Sequence, residues 1–207
     1  MKKSVILSLL LMLASNFAIA QRSYSFDGVP LEGTLEHFAE MMELHLFDVD
    51  VQTRFPATKY YYMTGYFFGE ECQHLLLNAK GEFDMVAGVN ISTPEQDTWK
   101  KTFEKYKEFK KKFTELYGKP FKVIEEKGPN NPKTDEEMFN ALRKAEAAYI
   151  CCFHDDQGDG AEGTVILSIS CQESLFSPMT GFLEVKYLNN AIKASIYGLG
   201  RDLDLYK

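Results

Sequence analysis

Two tripeptides in this chain pair a soft sulfur ligand with an imidazole: Cys72-Gln73-His74 and Cys152-Phe153-His154. On a β-strand, side chains two apart point to the same face, so each C-x-H would present both groups together. Thiolate and imidazole are zinc-type ligands, and Cys72, His74, Cys152 and His154 converge if the two strands are neighbours. The same neighbour relation would allow a Cys72–Cys152 disulfide in an oxidising compartment. Against the metal, zinc ribbons and fingers draw their paired ligands from tight turns, which neither segment is. Cysteines simply packed in a sheet are the commoner outcome.

A second stretch, HDDQGDGAEG from His154 to Gly163, has the look of a calcium loop. An EF-hand needs oxygen ligands at positions one, three and five, glycine at six and a bidentate acid at twelve. Counting from Asp155 places Gln157, Asp159 and Gly160 correctly, but position twelve is Ile166. The following TVILSIS alternates at the strand period, so flanking helices are missing too. The stretch reads as a solvated hairpin turn, for which Asp and Gly are well suited.

Catalytic signatures are absent from the sequence. There is no G-x-S-x-G elbow, no H-E-x-x-H and no glycine-rich phosphate loop, so no cofactor is expected. Cys151 or Cys152 with His37, His45, His74 or His154 would compose a thiol nucleophile and base, without a local signature to support it. Tyr60, Tyr61, Tyr62 and Tyr66 discriminate better. Alternate members of such a run point outward from a strand, and exposed aromatics suit protein or glycan contacts.

The elements that would position these groups follow from periodicity. Thr34 caps a helix over LEHFAEMMEL, with Leu35, Phe38, Met41 or Met42, and Leu44 assigned to one face. Thr93-Pro94 introduces a second helix, carrying Trp99, Phe103, Tyr106, Phe109 or Lys110, Phe113 and Leu116 as an apolar stripe and ending at Gly118. Thr134 caps a third over DEEMFNALRKAEA. Strand character marks LFDVDV, KYYYMTGYFF, CQHLLLNA, FDMVAGVNI, PFKVIEE, AAYICCFH, TVILSISC and FLEVKYL. With the hairpin turn centred near Asp159, Cys151 falls opposite Leu167 and not Cys171, and the adjacent Cys151 and Cys152 point to opposite faces. The fold class is therefore α+β, an antiparallel sheet with helices on one face. The order of elements admits two helix-plus-four-strand halves, 21–92 and 93–207.

Composition bounds the rest. The opening MKKSVILSLLLMLASNFAIA has a basic start, an apolar centre and Ala18-Ile19-Ala20 before Gln21, the layout of a secretory signal. A periplasmic or secreted protein, with residues 21–207 as one domain and no membrane span, is the expectation. The chain carries 30 Asp+Glu against 23 Lys+Arg, a net charge of −7. That balance disfavours nucleic acid as a partner. Between Lys100 and Lys127 lie ten lysines and five glutamates, which read as the solvated side of the second helix.

FDGVPLEGTLEHFAEMM, TWKKTFEKYKEFKKKFTELYGKP, GTVILSIS and VKYLNN together resemble small exported proteins of unknown function from Bacteroides-type gut bacteria. The resemblance implies a compact α+β domain with a sheet like that of the β-lactamase-inhibitor proteins, and it implies no activity. The function expected from the residues is a non-catalytic binding module that uses a sheet face toward a protein or glycan partner. An unrecognised hydrolytic or thiol-dependent enzyme and a structural accessory protein of the envelope are the alternatives.

Overall fold

The computed structural model describes residues 24–54, 58–79, 82–129, 131–156, 162–174 and 177–192. The signal-like opening, the loop tip 157–161 and the end of the chain lie outside them.

A short ribbon comes first, β1 (Ser25–Phe26) and β2 (Val29–Pro30), turned through Asp27-Gly28 with φ of 50° and 79°. Positive φ at both central residues is the primed turn that suits a two-residue hairpin. Helix α1 (Leu35–Leu44) follows, and the Thr34 side chain accepts from the His37 N–H at its start. Strands β3 (Asp48–Arg54), β4 (Thr58–Phe67), β5 (Glu70–Ala79) and β6 (Glu82–Ser92) come next. Then come α2 (Trp99–Tyr117), β7 (Lys122–Glu126), α3 (Asp135–Arg143), β8 (Ala148–Asp156), β9 (Glu162–Ser174) and β10 (Ser177–Asn189). Among the described residues the fold therefore has three helices, the ribbon and one eight-stranded sheet in the order β3-β4-β5-β6-β10-β9-β8-β7. Every neighbouring pair in that sheet is antiparallel.

The α+β expectation holds at this level, and each of the eight anticipated strands is present. So is the hairpin register, with Cys151 opposite Leu167. Helix boundaries and faces needed correction in three places. α2 is capped by Thr98, whose side chain accepts from the Lys101 N–H, and not entered at Thr93. Thr93 instead continues the sheet, exchanging hydrogen bonds with the Leu183 backbone at 3.0 and 3.1 Å. Leu44 is 75 % exposed; nine residues on from Leu35 is two and a half turns, which puts it on the opposite side of the helix. Leu116 is 60 % exposed, and the fully buried Thr102, absent from the expected stripe, takes a place in it. That hydroxyl is satisfied locally by the Thr98 carbonyl at 2.9 Å.

Alternation then divides the sheet's side chains. One set, including Tyr61, Met63, Cys72, Val89, Ile91, Cys151, Phe153, Val165, Leu167, Leu183 and Val185, forms a single buried cluster with Phe38 and Met42 of α1, Phe109 and Phe113 of α2, and Met138 of α3. The intervening set forms a smaller cluster: Leu77, Ala79, Ala87, Ala148, Ile150, Cys152, Ile166 and Leu188. Among the described residues, none from a helix belongs to that second cluster. On α2, Lys101, Lys110 and Lys112 are engaged by Asp97, Glu125 and Glu108 at 2.7–2.8 Å. The lysine run is thus interleaved with acids, as a solvated helix side should be.

Candidate functional site

The tyrosines of β4 locate the candidate site. Period-two alternation sends Tyr61 into the core with the helices, where it is 6 % exposed. Tyr61 therefore leaves the candidate contact set, because its neighbours across the strand face it toward α1 and not toward solvent. Tyr60, Tyr62, Thr64 and Tyr66 take the other face, with Tyr66 75 % exposed.

Register carries that face across the sheet. Tyr62 stands opposite Leu75, Leu75 opposite Asn90, Asn90 opposite Lys186, Lys186 opposite Ile166, and Ile166 opposite Cys152. One step along the strands, Thr64 is opposite Gln73, Gln73 opposite Ser92, Ser92 opposite Glu184, and Glu184 opposite Ser168. Polar residues thus gather at the middle of the sheet, flanked by tyrosines on one side and by Ile150, Cys152 and Ile166 on the other.

Three of these polar groups are close but poorly paired. Lys186 Nζ donates to Glu184 Oε2 at 3.4 Å, and Asn90 Nδ2 donates to Glu184 Oε1 at 3.5 Å. Charge-assisted N–H···O bonds are usually near 2.7–2.9 Å. Asn90 is 7 % exposed and its Oδ1 accepts from nothing. A buried acceptor without a donor costs about 1–3 kcal/mol, and a weakly paired buried ammonium adds to that. The neighbouring Ile166 and Leu188 show that apolar side chains fit the same face, so packing alone does not demand the polar trio.

The two C-x-H pairs are not brought together. β6, β10 and β9 lie between β5 and β8, so Cys72 and Cys152 sit four ladders apart, roughly 19 Å at about 4.8 Å per ladder. They also face opposite ways, Cys72 into the helix-side cluster and Cys152 into the second. Neither the four-ligand metal site nor the Cys72–Cys152 disulfide fits this topology, which sequence periodicity could not foresee because it does not order strands. All four cysteines are free thiols. Burial pushes the Cys72 and Cys152 thiols up to about 11, which leaves them protonated and poor nucleophiles. Among the described residues, no group of three or more His, Cys, Asp or Glu could hold a metal ion. His154 is exposed and stacks on Phe121 at 4.1 Å.

Two clusters that periodicity did not single out lie on the helix side. The Tyr106 hydroxyl reaches Cys151 Sγ at 3.0 Å and donates to Glu125 Oε1 at 3.2 Å, and Lys110 Nζ bonds the same carboxylate at 2.7 Å. Desolvation raises the Cys151 thiol, while Tyr106 and Lys110 pull the other way. Cys151 is fully buried, so this thiol has no surface to react from. Near the other end of β8, Tyr24 donates to Asp155 Oδ2 at 2.8 Å with its ring across Gly163. Long-range pairings of this sort, 131 residues apart, have no local sequence signal.

Comparison with protein-family models, with curated proteins and with solved structures returned no match. No described helix is long and apolar enough to cross a membrane.

Proposed function

We propose that this chain is an exported, non-catalytic binding module acting through the sheet face that carries Tyr62, Asn90 and Lys186. In this reading the helices share one face of the sheet and leave the other for a partner. The sheet is continuous in sequence on either side of the β6–β10 pairing, β3–β6 following α1 on one side and β7–β10 following or interleaving with α2 and α3 on the other. That junction places Asn90 of β6 opposite Lys186 of β10, so the polar trio is assembled from strands far apart in sequence. The observation that carries the reading is the unpaired Asn90 Oδ1 beside a loosely paired Lys186, a stability cost concentrated on a face edged by tyrosines. Functional sites are where such costs are retained.

A thiol-dependent enzyme built on Cys151, Tyr106 and Lys110 is the second reading. It requires the buried Cys151 to become accessible. Capture experiments with residues 21–207 as bait separate the two. A partner retained by the parent and lost by a Tyr62→Ser/Tyr66→Ser variant supports the sheet face. Equal retention by both sinks it. Labelling of Cys151 in the native protein by a small iodoacetamide would favour the enzyme.

A further inference from the structure

We infer that β7 pairs with its counterpart in a second copy of this chain, joining two sheets into one across a two-fold axis at Ile124. The inference is independent of the sheet-face reading above and concerns the edge of the sheet. Among the described residues β7 has β8 as its only neighbour in the sheet, so one side of its backbone is left without a strand. The alternation of the ladder decides which groups lie on that side. The Thr93 N–H donates to the Leu183 carbonyl. Carried through the registers of β10, β9 and β8, that phase turns the backbone groups of Ile150 and Cys152 toward β7. The Phe121 N–H accordingly donates to the Cys152 carbonyl at 2.9 Å. Lys122, Ile124 and Glu126 stand opposite Cys152, Ile150 and Ala148, and their backbone groups face β8. Val123 and Glu125 therefore direct their N–H and C=O groups away from the sheet. Val123 is 45 % exposed and Phe121 43 %, so the edge is open to approach.

An open edge accepts an added strand, and the order of charges selects a second copy as that strand. In sequence β7 is Lys122-Val123-Ile124-Glu125-Glu126, basic at its start and acidic at its end. An antiparallel copy reverses that order, so the strand complements itself. A ladder forms only where outward residues meet outward residues. Among registers that overlap most of the strand, this leaves Val123 opposite Val123, Val123 opposite Glu125, or Glu125 opposite Glu125 of the second copy. The first sets Lys122 against Ile124 and forms no charge pair. The last sets two Glu125 carboxylates directly opposite each other, which is unfavourable. The middle register centres the axis on Ile124 and sets each Lys122 opposite Glu126 of the other copy. Val123 and Glu125 then exchange backbone hydrogen bonds with the second copy in both directions. Ile124 meets its counterpart at a non-hydrogen-bonded position, where side chains approach most closely. Glu125 already has its charge answered by Lys110 of its own chain at 2.7 Å, so it can lie against Val123 of the second copy. Ile124 also packs on the second cluster, so the apolar surface of that face runs on across the junction.

The test is analytical ultracentrifugation of residues 21–207 from about 1 µM to about 1 mM, with the fold of each variant checked by circular dichroism and urea melts. A monomer–dimer equilibrium is expected. Val123→Pro removes an outward N–H and leaves the β8 ladder intact, so it should keep the fold and abolish the dimer. Val51→Lys, on the opposite edge strand β3 where Val51 is exposed, should leave the dimer as in the parent. Lys122→Glu alone sets like charges opposite each other at both ends of the junction and should weaken the dimer about tenfold. Lys122→Glu/Glu126→Lys sets opposite charges together again and should recover the parent's affinity. Where Val123→Pro fails to fold, the charge reversal and its recovery decide alone. A parent that stays monomeric throughout, assembly that grows beyond the dimer, or a folded Val123→Pro variant that still dimerises would overturn the inference. So would a dimer weakened by Val51→Lys, or a double charge variant that binds no tighter than Lys122→Glu.

Discussion

Acid should unfold this protein through His74 before most of its carboxylates matter. The imidazole is 1 % exposed, with the Phe47 ring edge-on at 5.0 Å and the Phe26 ring at 5.9 Å. Its Nδ1 lies 3.1 Å from the Cys72 carbonyl oxygen, and its Nε2 has no partner. Desolvation lowers the group from 6.5 to about 4, and this outweighs the opposing pull of the Cys72 and Met63 backbone and of Asp27. The folded state thus resists a proton that the unfolded chain accepts. Between these two values the unfolded state binds more protons, so stability falls as pH falls through 6.5 and levels off below about 4. The linkage integral gives a loss near 2 kcal/mol from pH 7 to pH 5, growing to about 3 kcal/mol at pH 4. Urea titrations of the parent and of His74→Leu at pH 7, 6 and 5 isolate this contribution, since Asp27 and the surface carboxylates titrate in both. The parent should lose about 2 kcal/mol more than the variant by pH 5. Parallel losses in the two proteins would refute the reasoning.

Two further outcomes follow from particular contacts. In Gly163→Ala the added Cβ would lie 2.1 Å from the Tyr24 ring, so the ring must move and its bond to Asp155 must open; a loss of about 2–3 kcal/mol is expected by denaturant melts, and an unchanged midpoint would show that Tyr24 is not seated there. Under denaturant a thiol reagent should titrate four free cysteines, while in the native protein at pH 8 the buried Cys72, Cys151 and Cys152 should react orders of magnitude more slowly. Rapid reaction of Cys151 in the native state would contradict its burial.

The candidate site was legible in pieces. Strand periodicity shows that alternate members of the run Tyr60, Tyr61, Tyr62 and Tyr66 face outward, but a run of three tyrosines does not reveal its phase, so only the structure separates Tyr61 from the other three. The register of the β8–β9 hairpin was computable because its turn is local. The Asn90, Glu184 and Lys186 trio was not legible at all, since Asn90 belongs to a strand separated from Lys186 by nearly the whole second half of the chain. The pairing of C-x-H motifs misled for the same reason: identical local spacing says nothing about whether two strands are neighbours.

What the sequence determines by itself is whatever short-range sterics and periodicity decide: the Thr34 and Thr134 caps, the α2 stripe, the eight strands and which residues of each share a face. Strand order was left to the tertiary structure. Burying the helix stripes against one set of alternating side chains and closing β6 onto β10 are choices of the whole chain, made by packing between segments that sequence spacing does not relate. Those choices moved Cys72 and Cys152 apart and set Asn90 beside Lys186.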